Sequence, residues 1–364
     1  MQVLLSVVGA RPNFMKLAPL VRATAVRPGL AHVIVHTGQH YDPEMSDTFF
    51  AQLGIPRPSH NLEVGSASHA QQTAAIMQRF EPVCAEVKPD VVLVYGDVNS
   101  TVAAALVAAK LGVKVAHVEA GLRSRDWTMP EEINRVVTDR LADWLFVPSR
   151  DAVTNLAAEG VPAERVHMVG NIMVDSLVHS LPEAEALDAP SRFGVKGQRF
   201  VFVTLHRPSN VDDPHTLREL LETLAGIGRE APVVFPVHPR TRARIADLGW
   251  QPPDGSVRLL EPLPYLETLS LVLEASLVLT DSGGLQEETS YLGIPCLTAR
   301  PNTERPITVT QGTNRLVPSR REPILAAAHE AWRTGRRPRG SIERWDGRTA
   351  ERIVEVLCDG AEYR

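Results

Sequence analysis

The feature that narrows the fold most is a layout that occurs twice in succession. VVLVYGDVNSTVAAALVAAKLG, from Val91, and VKVAHVEAGLRSRDWTMPEEINR, from Val113, each begin with an apolar run, pass a polar turn and enter a helical pattern. Short continuous apolar runs belong to strands buried on both faces, as in parallel sheets. Strands joined by a helical crossover in one sheet are nearly always parallel and right-handed, so the residues after the two runs emerge at one edge. Asp97 and Glu119 hold equivalent positions there. Ligands of open α/β sheets bind outside that carboxyl edge.

The same alternation extends along the chain. Gln2–Val8 reads as a strand, followed by the turn Gly9 to Asn13 and a helix from about Phe14. Next come the strand AHVIVHTG, the loop QHYDPEM, helices around Ser46–Leu53 and His69–Val87, and the strand Trp144–Ser149. The class is α/β with a parallel sheet. The stretch Leu181 to Arg199, rich in Pro, Ala, Glu and Gly, reads as an inter-domain region, and a second α/β series follows with strands in RFVFVTL, APVVFPV, SVRLLEPL and SLVLTD. A chain of 364 residues accommodates two domains. Their expected bounds are 1–170 and 171–348, with a closing helix at 349–364 that packs back on the first.

Charge and cysteine content exclude several classes. A net charge of -5 argues against a nucleic-acid binder, and the basic segment RTGRRPRG reads as a solvated loop. Three cysteines without CxxC spacing indicate neither a disulfide framework nor a zinc site, which fits a reducing cytoplasm. The start MQVLLSVVGARP lacks the charged region and cleavage site of a signal peptide. LSLVLEASLVLT is broken by Glu274, so no run reaches the roughly 20 apolar residues that span a bilayer.

Candidate ligand groups gather at the strand ends. Arg11 and Lys16, at the start of the first helix, are placed to hold an anion with the free N–H groups there. In the second half the strands lead into His206-Arg207-Pro208-Ser209-Asn210, His238-Pro239-Arg240 and Asp281-Ser282-Gly283-Gly284. Gly283 and Gly284 allow close backbone approach to a phosphate at a helix N-terminus, and Glu288 is placed to accept hydrogen bonds from a ribose. Each feature has a bland alternative: Asp97 as a helix cap, His206 as a structural histidine, the glycines as an ordinary turn. Their convergence favours a charged ligand, because clustered carboxylates and cations carry a desolvation cost.

The motifs GARPNFMKLAPL, TGQHYD, YGDVNST, HVEAGLRS, MPEEINR, LHRPSN, HPRT, TDSGGLQEE, GIPCLTARPNTERP and GTNRLV run through the whole chain. In this order they resemble the non-hydrolysing UDP-N-acetylglucosamine 2-epimerases. The resemblance implies two Rossmann-like lobes of glycosyltransferase-B-like fold with the active site in the inter-lobe cleft, a homodimer, and interconversion of UDP-N-acetylglucosamine with UDP-N-acetylmannosamine for surface polysaccharide. By motif it implies that Asp97, Glu119, Glu131 and His206 are catalytic. It likewise implies that Arg11, Lys16, Arg207, Ser282, Gly283, Gly284 and Glu288 bind the nucleotide, with the backbone at Tyr265 on uracil. The chain departs from the common pattern at Ser209, where the family usually has glutamate, and after His40, where Tyr-Asp-Pro-Glu-Met follows.

The proton on sugar carbon 2 is not next to a carbonyl and is poorly acidic. Loss of UDP from carbon 1 acidifies it, leaving a 2-acetamidoglucal, and inversion then needs proton return from the other face. Two acid/base groups are the minimum, which fits a carboxylate cluster. The first strand is not followed by GxGxxG and no HExxH motif occurs, so the reading calls for neither a nicotinamide cofactor nor a metal. A hydrolysing epimerase, an epimerase of another UDP-2-acetamido sugar, a same-fold glycosyltransferase and a non-catalytic sensor are the rival readings. In the resembling bacterial enzymes UDP-GlcNAc also activates through a helix after the TxQH motif. Here Pro43 and Glu44 stand there, and proline neither donates nor fits a helix interior. Pure UDP-ManNAc should therefore react without a lag, and a lag abolished by a trace of UDP-GlcNAc would reverse that expectation.

Overall fold

The computed structural model describes residues 1–38, 50, 53–252 and 255–359, with Arg11 described by its backbone alone. The segment with Gln39, His40, Pro43 and Glu44 and most of the expected helix Ser46–Leu53 lie outside the described residues. Contacts divide the chain into two compact units, Met1–Ser176 with Glu343–Arg364, and Leu177–Ile342.

The first unit holds β1 (Gln2–Val8), β2 (Leu30–His36), β3 (His60–Asn61), β4 (Val91–Tyr95), β5 (Lys114–Val118), β6 (Trp144–Val147) and β7 (Val166–Met168). They form one sheet in the order β3-β2-β1-β4-β5-β6-β7, with every pair parallel. Val91 to Tyr95 are completely buried, the sign of a sheet covered on both faces. Strand order reverses between β1 and β4, and the crevice of such a sheet opens at the carboxyl ends there. The helix Arg11–Ala25 begins earlier than the sequence indicates, because Asn13 reaches back to the Gly9 and Ala10 amides (both 3.3 Å) and Pro12 is tolerated in the first turn. Asn13 also donates to the Tyr95 carbonyl at 3.0 Å, tying this helix start to the end of β4.

The second unit repeats the plan with β8 (Val201–Thr204), β9 (Val233–Pro236), β10 (Val257–Leu260), β11 (Leu277–Thr280), β12 (Cys296–Ala299) and β13 (Asn314–Val317). The order is β10-β9-β8-β11-β12-β13, again with all pairs parallel. Its switch point lies between β8 and β11. β3, β12 and β13 escape the sequence reading because β3 has only two residues and polar Thr298, Asn314 and Arg315 interrupt the apolar runs of the other two.

The stretch read as inter-domain is largely helical. Helix Ile172–Leu187 runs through it with Pro182 inside, followed by Ala189–Arg192, since its Leu, Ala and Glu are good helix formers. The closing helix Thr349–Asp359 buries Ile353, Val354 and Leu357 and packs on helix Arg11–Ala25. Asp175 accepts the amides of Thr349 (3.1 Å) and Ala350 (2.8 Å), capping its N-terminus from a distant part of the first unit. No helix of the described residues is long and apolar enough to cross a membrane.

Candidate functional site

In the first unit the two turns after β4 and β5 lie side by side, with the Gly96 amide donating to the Val118 carbonyl at 3.0 Å. Gly96 adopts φ +63°, where a side chain is strained, and a Cβ there would stand 2.7 Å from Lys16 Nζ, so a larger residue would also displace the lysine end. Lys16 is buried and ion-paired with Glu119. Glu119 itself takes φ +72°, unfavourable for a non-glycine residue by about 1 kcal/mol or more and typical of functional turns. Asp97 is partly exposed and pairs with buried Arg135.

Helix Pro130–Leu141 supports both turns with one polar face. Arg135 bridges Asp97 to Glu132. Glu132 also accepts from the Ser124 amide (2.9 Å), the Ser124 hydroxyl (2.8 Å) and the Arg125 amide (2.8 Å), fixing the RSRDW segment. Asn134 donates to the Asp97 carbonyl at 2.9 Å. Glu131 is half-buried in the first turn of this helix. The structure therefore brings together Lys16, Asp97 and Glu119, places Glu131 on the supporting helix, and adds Glu132, Arg135 and Asp139, which the sequence reading missed. Their signal was present: charged residues at spacings of three and four on one helical face.

In the second unit Asp281, fully buried at the end of β11, organises the turn after β8. Its carboxylate accepts the amides of His206 (3.0 Å) and Arg207 (2.9 Å) and the Asn210 side chain (3.0 Å), and it pairs with His206 Nδ1 at 2.9 Å. Burial opposes its charge, but the His206 ring and these donors outweigh it and hold Asp281 below its ordinary value. His206 is thereby oriented with its ring half-exposed. Asp281→Ala should cost this unit about 3 kcal/mol or more by leaving buried donors unpaired. Calorimetric melting reads the loss, and an unchanged transition would show that the turn does not depend on the carboxylate.

Beside this turn, helix Gly283–Leu292 begins after Ser282, its first amides without intrahelical partners. Gly283 leaves room for Arg305, since a Cβ would lie 2.9 Å from Arg305 Nη1. Arg305 pairs with Glu287 (2.9 Å) and Glu304, and Arg300 with Glu304 (2.9 Å). Arg207, half-buried, donates from Nε to the Asp281 carbonyl at 3.1 Å, and burial together with Arg300 lowers its pKa. The cations thus gather at the start of this helix, an arrangement suited to an anion. Arg300, Glu304 and Arg305 were absent from the sequence candidates. Glu288 is buried farther along the helix, and burial pushes its carboxyl up to about 7. The Tyr265 hydroxyl sits beside it, short of good hydrogen-bond geometry.

Two parallel sheets, each with charged turns at its switch point, define an α/β protein of two Rossmann-like units and glycosyltransferase-B-like architecture. A family profile described as UDP-N-acetylglucosamine 2-epimerase matches residues 22–358. The UDP-N-acetylglucosamine 2-epimerase of Methanocaldococcus jannaschii is 40% identical over 97% of this chain and 98% of its own. The UDP-2,3-diacetamido-2,3-dideoxy-D-glucuronate 2-epimerase of Pseudomonas aeruginosa is 43% identical over 98% and 99%. Among solved structures, the M. jannaschii enzyme with UDP-GlcNAc and UDP superposes with a TM-score of 0.86 at 40% identity, covering 99% of this chain and 100% of that one. The Neisseria meningitidis enzyme bound to UDP-GlcNAc gives 0.88 at 30% identity, with the same coverage. The chain belongs to the UDP-N-acetylglucosamine 2-epimerase family and is an isomerase.

Proposed function

We propose that the protein interconverts UDP-N-acetylglucosamine and UDP-N-acetylmannosamine by elimination and re-addition of UDP. The observation that carries this reading is the pair of adjacent strand-end carboxylates, Asp97 and Glu119, each matched to its own cation, Arg135 and Lys16. As the carbon 1–oxygen bond breaks, its electron pair leaves with UDP, and a carboxylate takes the carbon 2 proton. A second acid returns a proton to the opposite face of the 2-acetamidoglucal while UDP re-adds at carbon 1, so atoms and charge balance. Asp97, Glu119, Glu131 and His206 carry these proton transfers. Arg11, Lys16, Arg207, Ser282, Gly283 and Gly284 hold the pyrophosphate as charge develops on the leaving group. Glu288 takes the ribose and the Tyr265 backbone the uracil. The working form is a cytoplasmic homodimer that binds neither nucleic acid nor membrane.

A proton NMR time course with UDP-GlcNAc alone tests the reading. UDP-ManNAc should appear. Free ManNAc with UDP would mark a hydrolysing enzyme, and no reaction without an acceptor sugar would favour a transferase. The P. aeruginosa relative supports a second reading, in which the substrate is a UDP-diacetamido uronic acid. Turnover of that sugar with UDP-GlcNAc inert would establish it.

Glu288 makes the nucleotide site pH-sensitive. Its folded pKa of about 7 lies above the ordinary 4.5, so its contribution to stability is full below about pH 4.5 and is lost as pH rises through 7. That contribution is on the order of 3 kcal/mol. Ribose hydroxyls donating to Glu288 favour the carboxylate, so UDP binding below pH 7 should release a proton, and affinity should rise from pH 6 to pH 8. Calorimetry at pH 6.5 in two buffers of different ionisation enthalpy measures the proton. Proton uptake, or none, would place the ribose elsewhere.

A further inference from the structure

The first unit contains a buried pair that the proton-transfer scheme does not use. His117, completely buried in β5, directs Nε2 at the Gly96 carbonyl and Nδ1 at Asp139 Oδ1, both at 2.7 Å. The other Asp139 oxygen accepts the Gly121 amide at 3.1 Å and pairs with Arg123 Nη1 at 2.7 Å. Arg123 in turn makes a two-pronged contact with Glu159 at 2.7 and 2.8 Å. We propose that His117 and Asp139 are a positioning pair that holds the Gly96–Asp97 and Glu119–Gly121 turns in the geometry the reaction requires.

Hydrogen-bond capacity specifies how the ring is held. The Gly96 carbonyl only accepts, so Nε2 faces it as the donor, and Asp139 holds the other ring nitrogen. Burial opposes the charge on Asp139, yet the His117 and Arg123 contacts outweigh it and keep Asp139 below its ordinary value. Arg123 pairs with both Asp139 and Glu159, which makes the burial of the Asp139 carboxylate tolerable. Charged donors and acceptors give the stiffer contacts. Stiffness matters here because Gly96, Glu119 and Gly121 all take left-handed φ, at +63°, +72° and +78°. Such turns persist only where their surroundings over-determine them. One ring grips the turn bearing Asp97, and its carboxylate partner grips the turn bearing Glu119. Neither touches Asp97 or Glu119 directly in the contacts above, so the action is through the backbone.

The inference rests on reading Asp97 and Glu119 as the reacting acids. Asp139→Asn and His117→Gln should lower kcat by about tenfold to a hundredfold, the effect of misplacing a reacting group, with KM and UDP affinity within about threefold. A fall of kcat and UDP-binding capacity together, in proportion to folded protein, would mean the pair is only structural and overturn the proposal. Asp97→Asn runs beside them. If it is active, the reading of the site fails. If it is inactive while folded Asp139→Asn and His117→Gln turn over normally, the pair alone is rejected. Should these variants not fold, histidine-labelled wild-type protein decides by NMR at neutral pH. A ring N–H that exchanges slowly with solvent supports the pair, and only fast-exchanging ring N–H groups would overturn it.

Discussion

In deuterium oxide the product should carry one deuterium at carbon 2, with essentially none of the original hydrogen retained. The hydrogen leaves as a proton to a carboxylate and returns from a different group on the other face, so it has no route back to the same carbon. Substrate recovered near equilibrium should be labelled as well, because the reaction runs in both directions. Mass spectrometry or loss of the carbon 2 proton signal reads the exchange. Retained hydrogen would eliminate the glycal route and require a hydride transfer, for which the first strand's turn has no dinucleotide fingerprint.

Loss of any one proton-transfer group should be nearly as decisive. Asp97→Asn, Glu119→Gln, Glu131→Gln and His206→Ala should each reduce turnover by roughly 10²-fold or more. Their stabilities should differ, which separates chemistry from folding. Glu119→Gln takes the counter-charge from Lys16, which is only 6% exposed, and should lower the melting temperature. Asp97→Asn leaves Arg135 paired with Glu132, and Glu131→Gln changes a half-buried helix end, so both should melt close to the parent. Near-native turnover in a folded variant removes that residue from the catalytic set. Arg207→Ala and Glu288→Ala should instead weaken UDP binding, measured directly by calorimetry.

The features legible in the sequence are those set by neighbours along the chain. Apolar runs such as Val91 to Tyr95 declare a doubly covered strand, and the polar residue after the turn, Asp97 or Glu119, is placed at the carboxyl edge by chain connectivity alone. Gly283 and Gly284 ahead of a helical pattern indicate an anion site for the same local reason. Helix limits were less legible where a side chain decides them, as Asn13 does for the first helix.

Pairing and burial were decided by the tertiary structure. Asp97 and Arg135 are separated by 38 residues, and His206 and Asp281 by 75, so no periodic pattern connects them. Their meeting depends on strand order: β4 beside β5, and β8 beside β11, across crossovers that propensity does not specify. Of the two adjacent glutamates, the sequence could not say that Glu132 would be the buried, ion-paired one. That follows from which face of helix Pro130–Leu141 the sheet covers. Local composition determined that charged groups stand at the strand ends, while desolvation and long-range partnering determined which of them are held, at what protonation, and by whom.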